Sequence, residues 1–213
     1  MGFDAYIFDL DGTLLDTLPD LVSLTNAVLE ERGFPTHTTD EIASYVGNGA
    51  RVLLQRAAPP DTADQVIDAI LARWKELYPE RGHAFTRPYD GMPFALGALK
   101  ERGAKLGVLS NKFDAATCAV IEQHFPGLFD LVRGEGPLTP RKPDPAGLLK
   151  MMADLGVEPE RCAYVGDSGS DMTVAVRAKA FPLGVTWGYR SAEELLSCGA
   201  ALLIAKPIEL LDA

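Results

Sequence analysis

Cysteine and histidine are scarce in this chain, three of each in 213 residues. Cys118, Cys162 and Cys198 are odd in number and form no CxxC pair, which argues against a disulfide framework. His37, His83 and His124 lie too far apart to form a zinc set. Basic residues are outnumbered, 20 Lys and Arg against 30 Asp and Glu, for a net charge of −10. That balance argues against a nucleic-acid partner, because such binding rests on neutralising phosphates. No apolar run reaches bilayer-spanning length. The opening residues hold Asp4, Asp9 and Asp11 and lack the basic start of a signal peptide. The expectation is a reduced, cytoplasmic protein, monomer or homodimer, with no membrane partner.

What the chain does have is a core and an acidic pair. At 47% hydrophobic it has enough apolar surface for one sizeable domain, or for a core with an insert. Ala5-Tyr6-Ile7-Phe8 reads as a short buried strand, followed by Asp9-Leu10-Asp11-Gly12-Thr13. In extended backbone Asp9 and Asp11 share one side and Leu10 faces away. Two like charges so close are costly unless a cation or a shared proton relieves them. Alone, the motif reads equally well as a tight turn leading into a helix cap. Its meaning depends on partners further along.

For about seventy residues the pattern is then helical. Thr17 with Asp20 predicts a capping box and a helix running to Gly33, and Thr38 with Glu41 repeats the signal before a helix ending near Gly47. Arg51–Ala57 predicts a third helix. A stripe from Val66 to Tyr78, after the candidate cap Asp61, predicts a fourth. The breaker cluster Arg87-Pro88-Tyr89-Asp90-Gly91 ends this block.

Beyond it, strands and helices alternate. Strands are predicted at Lys105–Leu109, Phe129–Val132, Cys162–Val165 and Leu183–Thr186, and a short tail, Ala201–Ile204 and then Pro207–Leu211, closes the chain. Helices are predicted at Met92–Arg102, Ala115–Gln123, Ala146–Leu155 and Met172–Lys179. Such alternation implies an α/β fold, a parallel sheet with helices on both faces and ligands beyond the carboxyl ends of its strands. The helical block reads as an insertion, so residues 1–15 and 88–213 would form the core and 16–87 a helical cap.

Three polar clusters fall at strand ends: Ser110-Asn111-Lys112, the loop Arg141-Lys142-Pro143-Asp144-Pro145, and Gly166-Asp167-Ser168-Gly169-Ser170-Asp171. Each also fits ordinary capping, Asp144 before Pro145 and Ser168 with Asp171 being good cap pairs. Together, in this order and at one rim, they exceed what capping requires. Asp9-x-Asp11-Gly12-Thr13, Ser110, Lys142 and Gly166-Asp167-x-x-x-Asp171 resemble the four motifs of the haloacid dehalogenase superfamily of phosphohydrolases. That family has a Rossmann-like core with a cap inserted after the first motif.

The resemblance implies that Asp9 attacks phosphorus to form an aspartyl phosphate. Asp11 would be acid for the leaving alcohol and then base for water. A Mg²⁺ cofactor would be held by Asp9, the Asp11 carbonyl and Asp167, with Asp171 assisting. Ser110, Asn111 and Lys142 would hold the phosphoryl oxygens. Dehalogenases of the superfamily lack the second aspartate, so Asp11 favours phosphate esters. Val46-Gly47-Asn48-Gly49-Ala50-Arg51 and Gly184-Val185-Thr186-Trp187-Gly188-Tyr189 are further similar to bacterial phosphoglycolate phosphatases, although Ser110 stands where threonine is frequent.

The implied partner is thus a small phosphorylated metabolite, 2-phosphoglycolate first. Gly47, Asn48 and Gly49 would form a loop over it, and Arg51 would meet its carboxylate. A flexible turn and a solvated arginine explain the same residues. Other small phosphate-ester or pyrophosphate phosphatases, and phosphomutases, share much of the pattern. A phospho-accepting signalling domain also pairs aspartates with a lysine, but it needs neither Asp11 nor the helical insert.

Overall fold

The computed structural model describes residues 2–137 and 139–213. The chain divides into two compact units, Met1–Leu15 with Pro88–Ala213, and Asp16–Arg87. In the first half the elements are β1 (Ala5–Phe8), β2 (Leu15–Asp16), α1 (Leu18–Glu30), α2 (Thr39–Tyr45), α3 (Gly49–Ala57), α4 (Asp64–Arg81), β3 (Arg87–Pro88) and α5 (Met92–Glu101). There follow β4 (Lys105–Phe113), α6 (Asp114–His124), β5 (Leu131–Glu135), α7 (Ala146–Leu155), β6 (Cys162–Gly166), α8 (Gly169–Ala178), β7 (Phe181–Val185), α9 (Ala192–Ser197) and β8 (Leu202–Ile204). β2 and β3, where the chain passes between the units, pair with one another.

In the larger unit, six strands form a parallel sheet in the order β5-β4-β1-β6-β7-β8. The α/β expectation holds, and alternation along β1 shows why. Tyr6 and Phe8 pack with Met92, Leu96 and Leu99 of α5 and with Val120 and Ile121 of α6. Ala5 and Ile7 point the other way, onto Leu148, Met151 and Met152 of α7 and Val174 and Ala175 of α8. Both faces are therefore dry, as a parallel sheet requires. The register sets Phe8 beside Val108 and Val165. Asp9 consequently lies at the carboxyl edge of the central strand, between the ends of β4 and β6.

β6 ends one residue later than predicted, at Gly166, and β7 is Phe181–Val185 rather than Leu183–Thr186; two further strands also differ from their predicted limits. β4 runs past Leu109 to Phe113, with its register against β5 shifting between those residues. Ser110, Asn111 and Lys112 are polar yet buried, so the apolar pattern ends before the strand does. β5 begins at Leu131 rather than at Phe129. Phe129 instead packs edge-on against Phe8 and Phe125, and the Asp130 carboxylate accepts from Leu106 N at 2.8 Å. Apolarity at Phe129 marked core, not strand.

The smaller unit is helical and has its own interior, with Leu21, Leu24, Val28, Ile42, Leu54, Ile67, Ile70 and Trp74 buried. The Thr38–Glu41 capping box opens α2. Two other caps do not form as predicted. α4 is capped by Ala63, and Asp61 sits in a turn at φ 63°. Thr17 makes no side-chain cap bond. Asp20, fully buried, reaches across the unit instead and accepts from Phe85 N at 2.9 Å and from Thr86 N and Thr86 Oγ1 at 2.7 Å each.

That carboxylate joins the two ends of the helical segment, and removing it leaves three donors in need of partners. Asp20→Ala is expected to destabilise this unit by about 3 kcal/mol, the scale of orphaning buried donors to a charged acceptor. Urea unfolding followed through Trp74 fluorescence in a Trp187→Phe background measures it. A loss below about 0.5 kcal/mol, the level of an ordinary surface change, contradicts this.

Candidate active site

The carboxyl edge of the sheet gathers the predicted residues from four places in the sequence. Asp9 follows β1, and its backbone N donates to Val165 O at 2.8 Å. Its Oδ1 lies 2.9 Å from Lys142 Nζ. That ammonium also donates to Asp171 Oδ1 at 2.7 Å and to Tyr164 Oη at 2.8 Å. The ammonium thus hydrogen-bonds Asp171 and Tyr164, and its contact with Asp9 is an ion pair that leaves Asp9 Oδ1 without a hydrogen bond. Tyr164 in turn donates to Leu109 O at 2.7 Å. The lysine is thus suspended between the ends of β1, β4 and β6.

Asp11 stands apart from this cluster. Both of its oxygens accept from Lys112 Nζ, at 3.1 and 3.3 Å. The like-charge problem of the acidic pair is therefore met by giving each carboxylate its own buried lysine. Asn111 fixes the loop that carries Lys142: its amide accepts from Lys142 N at 2.7 Å and donates to Lys142 O at 3.1 Å. The Ser110 hydroxyl accepts from Lys112 N at 3.2 Å and keeps its own proton to donate.

The last cluster begins where β6 ends. Asp167 is buried and accepts from Tyr189 N at 2.7 Å and from Thr13 Oγ1 at 3.3 Å. Only glycine fits against it, since a Cβ on Gly12 or on Gly188 would overlap the Asp167 side chain. Asp171 has the predicted cap contact and a second partner besides. Its Oδ2 accepts from Ser168 N at 2.9 Å and Ser168 Oγ at 2.6 Å, as in a capping box. Its Oδ1 serves Lys142.

Burial governs the charges here. It pushes Asp9 up to about 6, against the pull of Lys142. Burial, reinforced by Asp171 and Asp9, holds Asp167 well above the usual carboxylate range. Burial draws Lys142 down, but Asp171 and Asp9 outweigh it and hold the ammonium well above the ordinary lysine value. One oxygen from each of Asp9, Asp167 and Asp171 lies within 4.8 Å of the others. When all four carboxyls, Asp11 included, are ionised, they face two ammonium groups and leave two negative charges among these six side chains. A hard divalent cation with oxygen ligands fits that set in both charge and chemistry.

Lys112, Tyr164, Thr13 and the Tyr189 backbone join the site without a role predicted for them. Lys112 lies two residues beyond Ser110 and would have been placed beside it had the strand been carried past Leu109. Tyr164 brings the lone polar tip in Cys162-Ala163-Tyr164-Val165, a signal present but unread. In the helical unit, Gly47 and Gly49 take positive φ around Asn48, which opens α3 without a side-chain cap bond. Arg51 is committed within that unit, to Asp64 at 2.8 Å and Asp68 at 2.9 Å.

A family model described as haloacid dehalogenase-like hydrolase matches residues 6–185, which spans Asp9, Asp11, Ser110, Asn111, Lys142, Asp167 and Asp171. The chain belongs to that family. Among its haloacid dehalogenase-like relatives, the phosphoglycolate phosphatase of Aquifex aeolicus is 33% identical over 86% of this chain and 84% of its own length. That of Vibrio vulnificus strain YJ016 is 31% identical over 96% and 93%. A solved structure of a predicted phosphoglycolate phosphatase from Haemophilus somnus superposes with a TM-score of 0.92 at 28% identity, covering 99% of this chain and 97% of the other. The chain is accordingly a hydrolase of phosphatase type, and among the described residues no helix is long and apolar enough to cross a membrane.

The raised Asp9 carboxyl has a consequence for stability. A group whose folded pKa lies above its unfolded value stabilises below the unfolded pKa, about 4 for Asp, and loses that contribution as pH rises through the folded value. Through this group, the cation-free protein should therefore lose stability between pH 4 and about 6. A divalent cation should restore it where the carboxyls are ionised. Thermal melts with and without 5 mM Mg²⁺, an arbitrary but roughly cellular-scale excess, should show a larger rise in Tm at pH 7.5 than at pH 5. An equal rise at both pH values contradicts this.

Proposed function

We propose that this chain hydrolyses small phosphomonoesters by way of a phosphorylated Asp9, with residues 1–15 and 88–213 as catalytic core and 16–87 as cap. The observation that carries the proposal is the separation of the two aspartates onto two lysines. Carboxylates two residues apart are given different surroundings, as two different tasks require.

Asp9, held by Lys142, attacks phosphorus; the P–O bond to the alcohol breaks as Asp11 gives its proton to the leaving oxygen. Asp11, now ionised, takes a proton from water as that water attacks the aspartyl phosphate, and the P–O bond to Asp9 breaks to free phosphate. Ser110 donates its hydroxyl proton, and Asn111 its backbone N–H, to phosphoryl oxygens. Lys142 reaches such an oxygen by giving up its ion pair with Asp9 as that carboxylate becomes an acyl phosphate. Asp9, Asp167 and the Asp11 carbonyl, with Asp171 supporting, are the groups that would hold Mg²⁺. What a bound Mg²⁺ supplies there is neutralisation of phosphoryl charge.

2-Phosphoglycolate is the substrate we favour, supported by the relatives' names and by the likeness of the Gly47–Arg51 and Gly184–Tyr189 segments. Arg51, Gly47, Asn48 and Gly49 are assigned to substrate choice. The ion pairs of Arg51 with Asp64 and Asp68 are largely exposed, and such pairs exchange at small cost.

Phosphate release from a panel of esters in Mg²⁺ tests the reaction. Stoichiometric, repeated release is expected, with 2-phosphoglycolate turned over best, and Asp9→Asn should lower kcat by at least about 10⁴-fold. Retained turnover in that variant removes Asp9 from its role, and phosphate kept on a bound sugar indicates a mutase instead. Arg51→Ala should raise KM for 2-phosphoglycolate about tenfold while a neutral-alcohol ester changes within about twofold. An unchanged ratio between the two esters removes Arg51 from substrate choice.

A further inference from the structure

Lys112 is a costly residue to place where it is. Its side chain is 3% exposed, and it faces an acidic rim from the end of β4. A buried ammonium survives only if paired, and here the Asp11 carboxylate accepts from it through both oxygens, at 3.1 and 3.3 Å. The lysine's own backbone is held from two directions. Its N donates to Ser110 Oγ at 3.2 Å, and its carbonyl accepts from Thr117 Oγ1, at the start of α6, also at 3.2 Å. The register shift of β4 between Leu109 and Phe113 lies in this stretch. Local backbone irregularity, a hydroxyl on each side and a buried charge are thus all spent on directing one side chain at one carboxylate.

Asp11 has need of such direction. It lies beyond the end of β1, in a turn where its backbone forms an isolated bridge to Leu15. A carboxyl that must pass a proton to a leaving oxygen, and later take one from water, has to stand within hydrogen-bond reach of both. A side chain free to rotate about two torsions would meet that condition only part of the time. The two-pronged grip of Lys112 sets both torsions while Asp11 is ionised. When Asp11 carries its proton, the ammonium can keep one oxygen and leave the protonated one to face the substrate.

We propose that Lys112 is the positioning residue for Asp11, acting on proton transfer to the leaving group and not on the phosphoryl group itself. This rests on the reading of Asp11 as the acid and assigns to the second lysine of the site a task separate from that of Lys142. Lys142 serves the nucleophile; Lys112 serves the acid.

Leaving groups distinguish this role from a merely structural one. An alkyl phosphate needs a proton on its departing oxygen, whereas p-nitrophenyl phosphate departs as a stable anion and needs none. Lys112→Met is therefore expected to lower kcat/KM for an alkyl phosphate by roughly a hundredfold, as misplacing a catalytic group does, and that for p-nitrophenyl phosphate by no more than about tenfold. The parameter kcat/KM reports the steps up to formation of the phospho-enzyme, so slow release of phosphate does not mask the difference. Both esters are assayed on one preparation, which makes their ratio independent of the folded fraction. Lys112→Arg, which keeps a donor to Asp11, should restore much of the wild-type ratio.

Asp11→Asn is the reference. If it discriminates between the esters and Lys112→Met does not, whether by equal loss, by silence on both or by no loss at all, the positioning role is overturned while the acid role stands. If Asp11→Asn itself shows no discrimination, the reading of Asp11 as the acid fails first.

Discussion

The buried ammonium of Lys142 is the constraint on which the rest of the site depends. It arrives on a loop between β5 and α7, yet it reaches β6 and the start of α8 through hydrogen bonds to Tyr164 and Asp171, and the end of β1 through its ion pair with Asp9. Without it three carboxylates would crowd one rim of a dry sheet, and burial alone would favour their neutral forms. The sheet makes this possible by geometry. With β1 central and flanked by β4 and β6, one level of the register brings residues far apart in sequence to adjacent strand ends. Hydrogen bonds between the Asn111 amide and the Lys142 backbone then fix where the loop stands.

A division of labour follows. Each member of the acidic pair has a lysine, and the two lysines are built in by different means: one on a loop clamped by an asparagine, one at the irregular end of a strand. Burial weights them differently as well. Lys142 and Asp171 are almost entirely shielded, while Asp11 keeps 15% of its side chain exposed, as the acid and base role proposed for it would require. Glycine at positions 12 and 188 lets the backbone close on Asp167 from two directions. A cation held at these carboxylates would therefore meet oxygens that are already in place.

Much of this was legible in the sequence, for reasons that differ from element to element. Ala5–Phe8 and Ala146–Leu155 have the limits expected of them, because apolar periodicity there is bounded by polar or glycine breakers. The alternation of strand and helix after residue 91 sufficed for the sheet. Asp9, Asp11, Ser110, Asn111, Lys142, Asp167 and Asp171 come together at its edge, as their places after strands implied. What escaped was whatever tertiary contact decides. Asp20 looks like the third residue of a capping box and is instead the acceptor for a segment more than sixty residues away. Phe129 looks like strand and is core. Lys112 and Tyr164 are partners of site residues by packing and not by spacing, and periodicity contains no term for that. Arg51 reads as a partner for a substrate carboxylate or as a solvated arginine, and in the fold two acids of α4 pair with it.

The central claim is that Asp9, alone among the clustered carboxylates, becomes bonded to phosphorus during turnover. Rapid quenching of the enzyme with saturating 2-phosphoglycolate and Mg²⁺, followed by borohydride reduction and peptide mass spectrometry, addresses it directly. Reduction converts an aspartyl phosphate to homoserine. Homoserine at position 9, dependent on substrate and absent at positions 11, 167 and 171, is the predicted result. Phosphate release during the same turnovers with aspartate intact at position 9, or homoserine at another of these positions, would contradict the account.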